Sequence, residues 1–219
     1  MTFLSLSFRA WPYPTKSRKK ECCAWGECGF LSYSIGNSVI IYSNEIGRFS
    51  PMYMWSPFEN PITCMAWYNG SCTPSIVQPL LAIGCKSGKL AVNDVRNKSI
   101  FGTFQLKNDV PISILWSPFY RSRFFVGSKK GVLYCLQMNE NVQHNIALLA
   151  EINLGFPVHF ISSDPQTGTT IAVASKSGKF SVISSILQAK STDTYKQYNL
   201  NLGANDSITT LSFFPDFPN

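Results

Sequence analysis

Charge is scarce in this chain: Asp, Glu, Lys and Arg together make up 14% of its 219 residues. That leaves too little to clothe the solvated faces of a helical bundle or coiled coil. Histidine is scarcer still, with His144 and His159 alone. His159 sits between Val158 and Phe160, as a core or edge histidine does, and two histidines do not assemble a Ser-His-Asp or Cys-His arrangement. The 12 acidic residues are scattered, without a paired-carboxylate constellation. No two of the seven cysteines are spaced as a CxxC pair that would grip one zinc. No Gly-rich phosphate loop leading into a helix is present. The chain therefore reads as a non-enzyme, with no catalytic, cofactor-binding or metal site and no small-molecule substrate expected. Apolar runs fall short of the roughly 18 residues that cross a bilayer. The stretch Thr2 to Phe8 alternates apolar and polar, as a strand does and a signal peptide does not.

What is present favours strands. Apolar residues reach 45% and aromatics 14%, punctuated by 14 Gly and 13 Pro. That profile fits a β-rich globular body of one domain, or one and a part. Cys64, Cys85 and Cys135 fall inside apolar runs, where a reduced cysteine acts as a small buried hydrophobe. A reducing, cytoplasmic setting is expected, in which the Asn-x-Ser patterns at Asn69, Asn97 and Asn205 carry no weight.

One pattern recurs. Cys85-Lys-Ser-Gly-Lys-Leu-Ala-Val92, Ser128-Lys-Lys-Gly-Val-Leu-Tyr-Cys135 and Ser175-Lys-Ser-Gly-Lys-Phe-Ser-Val182 each set a Gly turn before an alternating apolar run. Tyr33-Ser-Ile-Gly-Asn-Ser-Val-Ile-Ile41 is a weaker copy. The turn glycines Gly36, Gly88, Gly131 and Gly178 lie roughly 40–50 residues apart. Ahead of each turn, a strand is expected to end near an aromatic. These are the segments ending at Trp25, Trp67 and Trp116, then Val158-His-Phe160, then Ile208 to Phe213. A looser strand completes each unit, as in Ser99 to Gln105 and Ile146 to Ile152. Four short strands per unit of that length is the mark of a propeller blade.

On these residues the chain resembles the WD40-repeat family. Leu81 to Arg96 carries the family's small residues, Gly turn and alternating run, with Asp94 and Arg96 at their places and Asn93 where the signature Trp stands. Ser43, Gln137 and Ser184 replace the Asp in the other units, and no Gly-His dipeptide precedes any of them. The resemblance implies an all-β, WD40-type β-propeller with about four complete four-stranded blades and the start of a fifth. Residues 1–20 are assigned to an N-terminal strand and basic linker, and 21–219 to a partial propeller. Because the family's ring closes with seven blades, two expectations stand: an N-terminal piece of a larger protein, or an arc completed by a partner. Residues 2–9 would form an outer strand against the last blade. Over residues 1–185 the order of segments is similar to the start of a large two-propeller trafficking scaffold of this family. That similarity implies non-catalytic scaffold work in a multi-protein complex at the trans-Golgi network, from a cytoplasmic position at Golgi or vesicle membranes.

Two groups of residues are candidate partner-binding sites. Lys86, Lys89, Lys129, Lys130, Lys176 and Lys179 flank equivalent turns, which would line one face and give a weak contact with acidic surfaces, in keeping with a net charge of +7. The competing reading is that they keep exposed hairpins soluble. The second group is Asp94 and Arg96. In WD40 substrate receptors of cullin-type ubiquitin ligases, an Asp-x-Arg at this strand end meets the adaptor, so that role is the alternative function. Lys16 to Lys20 reads as a solvated linker. The aromatics sit inside strands rather than among the basic residues, which weighs against nucleic acid.

Overall fold

The apolar runs are short and rich in β-branched and aromatic residues, and each is closed by a tight turn, so they pair as hairpins. A computed structural model describes residues 22–26, 29–45, 48–68, 79–118, 120, 122–139, 144–165, 168–184, 196–201 and 207–213. Among these residues every regular element is a strand.

Four antiparallel sheets follow in chain order. The first holds β1 (Cys23–Trp25), β2 (Phe30–Ile35), β3 (Ser38–Glu45) and β4 (Arg48–Trp55). The second holds β5 (Ile62–Trp67), β6 (Leu80–Cys85), β7 (Lys89–Asp94) and β8 (Ser99–Gln105). The third holds β9 (Pro111–Trp116), β10 (Arg123–Ser128), β11 (Val132–Met138) and β12 (His144–Asn153). The fourth holds β13 (Phe160–Ser163), β14 (Thr170–Ala174), β15 (Lys179–Ser184) and β16 (Lys196–Asn201). First strands meet one another: β1 lies against β5, β5 against β9, and β9 against β13. At the other edge, β8 and β12 pair in parallel over Gly102–Thr103 and His144–Asn145, joining the second and third sheets.

The sheets stack face to face, so their central strands are buried on both sides. In β6, Leu81 and Ile83 pack with Val39 and Ile41 of the first sheet, while Leu80 and Ala82 face Phe124 and Val126 of the third. In β10 the next residue, Phe125, turns to Ile171 and Val173 of the fourth. That is why these strands read as continuous apolar runs rather than alternating ones. Each fully buried Leu, Ile or Phe contributes about 1.5–3 kcal/mol. Close stacking also needs room where strands cross. A Cβ on Gly84 would meet Pro111 at 2.7 Å, and one on Gly127 would meet Val158 at 2.6 Å.

The result is the expected all-β architecture: an open arc of four propeller blades. Residues 207–213 run beside β13, but the strand expected from Ile208 to Phe213 is not formed and the segment is irregular. The Ile208 amide donates to the Lys176 carbonyl (3.3 Å), and the Phe213 amide to Ser162 Oγ (3.3 Å). The four first strands and residues 210–211 line an open depression of 330 Å³. One boundary differs from expectation. The fourth sheet's first strand is not Val158-His-Phe160 but begins at Phe160 and ends on Ser163. The Val158 amide is held by the Ser128 carbonyl of the third sheet (3.0 Å), which keeps residues 154–159 as a connection. The N-terminal strand expected at residues 2–9, the basic linker to Lys20, Cys28 and most of the loop from Tyr68 to Pro79 lie outside the described residues.

Candidate protein-interaction surfaces

The recurrent turns share one construction in the last three sheets. Gly88, Gly131 and Gly178 close them with φ of +87°, +94° and +81°. Each glycine amide donates to the carbonyl three residues back: Cys85 (3.0 Å), Ser128 (3.3 Å) and Ser175 (3.3 Å). This is a type I turn ending in a left-handed residue, the usual three-residue hairpin. The first sheet departs from it with the two-residue turn Gly36-Asn37, where Gly36 has φ +62°.

What brings the turns together is the connection leaving each sheet. Residues 56–61 touch the first turn, where Asn37 Nδ2 donates to the Phe58 carbonyl (3.0 Å). They also touch the second, where the Lys86 amide donates to Pro61 (2.9 Å). Residues 106–110 repeat this between the second and third turns. The Leu106 amide donates to Gly88 (2.9 Å), and the Lys129 amide to Val110 (2.8 Å). Residues 154–159 repeat it again: Leu154 donates to Gly131 (2.8 Å), and the Lys176 amide to His159 Nδ1 (3.4 Å). The turns therefore stand in sequence along one face. Lys86, Lys89, Lys129, Lys130, Lys176 and Lys179 are all exposed there.

Asp109, which sequence reasoning missed, is the one carboxylate built into this face. Only 4% exposed, it accepts from its neighbour's amide at Val110 (2.7 Å), from the Lys130 amide (3.1 Å) and from the Tyr134 hydroxyl (3.4 Å). Its charge is turned inward onto the turn backbone, so on the solvent side of the described residues the carboxylate beside these lysines is that of Glu59, which lines a depression with Ser87 and Lys89. Burial, together with the negative charges of Asp109 and Glu151, pushes the Tyr134 phenol up to about 12. The only sequence hint was an Asp just before a predicted strand, a position common to many turns.

The Asp94 and Arg96 pair separates. Asp94 is buried and caps the β7–β8 turn, accepting from the Asn97 amide (3.0 Å) and Asn97 Nδ2 (2.8 Å). Lys98 completes that turn at φ +52°. Arg96 is exposed. Asn93, in the place of the signature Trp, is buried and donates to the Tyr53 hydroxyl of the first sheet (2.6 Å). Lys98 Nζ lies 5.6 Å over the same ring. At the position equivalent to Asp94, Gln137 accepts instead from Arg123 Nε (3.1 Å).

The opposite ends of the first strands carry tryptophans. Trp67 Nε1 donates to the Ala24 carbonyl of the preceding sheet (3.0 Å), and Trp116 Nε1 to the Ala66 carbonyl (3.0 Å). Each indole is wedged between two sheets: Trp67 stacks on Phe30 (5.7 Å), and Trp116 meets Tyr68 (5.3 Å) and Phe124 (4.9 Å). Trp25, expected inside the stack, is 54% exposed. A pocket of 400 Å³ runs along this end from Trp25 to Ser163.

Among the described residues no group of three or more His, Cys, Asp or Glu is placed to hold a metal ion. The described cysteines Cys22, Cys23, Cys64, Cys85 and Cys135 form no disulfide with one another. Burial pushes the Cys64 thiol well up and that of Cys135 to about 11, so both are protonated at neutral pH and poor nucleophiles. Compared with models of known protein families and with curated proteins, the sequence matches none.

Proposed function

We propose that the chain is a non-catalytic WD40-type scaffold whose lysine-bearing face docks acidic segments of protein partners. The observation that carries this reading is the bridging of successive turns by the connections between sheets, which sets six exposed lysines along one face. Such a face steers acidic partners and raises their encounter rate more than it holds them. If four lysines engage at about 1 kcal/mol each, as near an anionic surface, the total corresponds to roughly millimolar affinity. That assists docking within a larger complex. The resemblance of residues 1–185 to the start of WD repeat-containing protein eleven is the ground for proposing that this work is vesicle capture at the trans-Golgi network, on the cytoplasmic side of Golgi or vesicle membranes.

The alternative is a substrate receptor of a cullin-type ubiquitin ligase, and the exposure of Arg96 at the β7–β8 turn is what favours it. Against it, the Asp94 carboxylate already serves Asn97. One pull-down separates the two readings. Reversing Lys86, Lys129 and Lys176 to Glu together releases tethering and coat factors in the scaffold reading. Arg96→Ala releases cullin components in the alternative. Capture of neither set, with both variants behaving as the parent, sinks both.

A further inference from the structure

The tryptophan end of the arc contains an internal template and one place where no described residue fills it. Between the first and second sheets, Trp67 seats its indole on the Ala24 carbonyl. Between the second and third, Trp116 does the same on Ala66. A strand carbonyl has two lone pairs, so it serves its ladder partner and the indole together. Between the third and fourth sheets the equivalent carbonyl belongs to Leu115. The residue that should reach it is Ser163, paired with Ile171 as Trp116 is paired with Phe124. The serine side chain is too short to span that crevice. The second aromatic of the preceding crevice, Tyr68, is likewise matched here by Ser117. Two aromatic side chains have thus been exchanged for two serines, and both serines line the 400 Å³ pocket, which runs past the two filled crevices at Ala24 and Ala66 and reaches the fourth sheet at Ser163.

We propose that this third crevice is a receptor site for a tryptophan side chain presented by a protein partner, its indole N–H donating to the Leu115 carbonyl. The two filled crevices show which group the site takes. They demand a flat ring thin enough to enter between two sheets, and a donor at its edge directed at a strand carbonyl. Phenylalanine supplies the ring without the donor. Leu115 and Pro118 line the pocket beside Ser163 and give the incoming indole an apolar wall. The site lies at the opposite end of the first strands from the lysine turns, so it does not depend on the charged face.

The test uses the whole chain and a Gly-Gly-Trp-Gly-Gly peptide with free indole, N-methylindole and the Phe version of the peptide alongside. The Trp peptide is expected to shift the amide resonances of Leu115, Ser117 and Ser163 in a saturable way. Loss of the donor in N-methylindole should weaken binding about fivefold relative to indole, the value of one hydrogen bond. Ser163→Trp, which fills the crevice from within, should raise the unfolding midpoint by about 2–4 °C and abolish peptide binding. Ser163→Ala should leave the peptide bound. Three outcomes overturn the proposal. These are no saturable shift at Ser163, equal binding of indole and N-methylindole, or binding of free indole without the Trp peptide, which would mark a small-molecule site instead. Peptide binding that survives in a folded Ser163→Trp chain overturns it as well.

Discussion

The two ends of the first strands follow the same repeat by different means. At the turn end, a Gly turn recurs in all four sheets, although its form differs: the two-residue Gly36-Asn37 in the first, Lys-Lys-Gly in the third, and Lys-Ser-Gly in the others. Most of the contacts that bind the connections to the turns are made by the backbone, with the Asn37, His159 and Asp109 side chains as exceptions. At the tryptophan end, the repeat is carried by one side chain per sheet, and it stops where Ser163 replaces the indole. A repeat built on main-chain bonds tolerates divergence, whereas one built on single side chains fails at the first exchange.

Mutations at the two ends should differ accordingly. Trp116→Ala removes a buried ring from between two sheets and should cost about 3–5 kcal/mol in denaturant unfolding. Trp25→Ala, at an exposed position, should stay within about 1 kcal/mol. Equal effects would show that the ladder contributes nothing beyond surface packing.

At the turn end, Gly88→Ala should cost about 2–4 kcal/mol. It places a Cβ 2.4 Å from the Asp109 carbonyl at a φ that L-residues avoid. Gly36→Ala has nothing within 4 Å and should cost only about 1–2 kcal/mol, the left-handed conformation alone. Urea midpoints of the two variants, measured side by side, separate the turn conformation from the docking of the connection. If Gly36→Ala is the worse of the two, the connections do not hold the turns.

A smaller effect tests Asp109. The Tyr134 phenol is raised in the folded chain, so its contribution to stability is complete below about pH 10. It is lost as pH rises through about 12. Burial raises Tyr42 and Tyr53 as well, so phenolate absorbance should show a late-titrating component that loses one tyrosine in Tyr134→Phe. Asp109→Asn removes a negative charge and should bring that titration down part of the way, leaving the share due to burial. No change would place Asp109 outside the Tyr134 environment.

The turns were legible in the sequence because a Gly with positive φ must sit at a fixed offset from an apolar run, and that signal is local. The order of four sheets followed from its spacing. Trp67 and Trp116 were legible as strand ends, but not as donors to the sheet before them, since the acceptor lies more than 40 residues away. Separations of 40 and 21 residues likewise hid Asn93 with Tyr53 and Asp109 with the Lys130 amide. Val158-His-Phe160 misled because its aromatic mimics a strand end, while the bond from Val158 to Ser128 holds it in the connection. The lysines were found as a group, but only the connections show that their turns are neighbours.

The central claim is that the lysine turns act as one charged surface, and a salt series with an acidic peptide tests it most directly. Binding of a poly-glutamate peptide to the parent chain should weaken steadily as the screening length falls from about 30 Å at 0.01 M salt to about 8 Å at physiological salt. Reversal of Lys86, Lys129 and Lys176 to Glu should abolish it at every concentration. Affinity indifferent to salt, or unchanged by the triple reversal, would contradict the account and leave these lysines as solubilising residues on exposed hairpins.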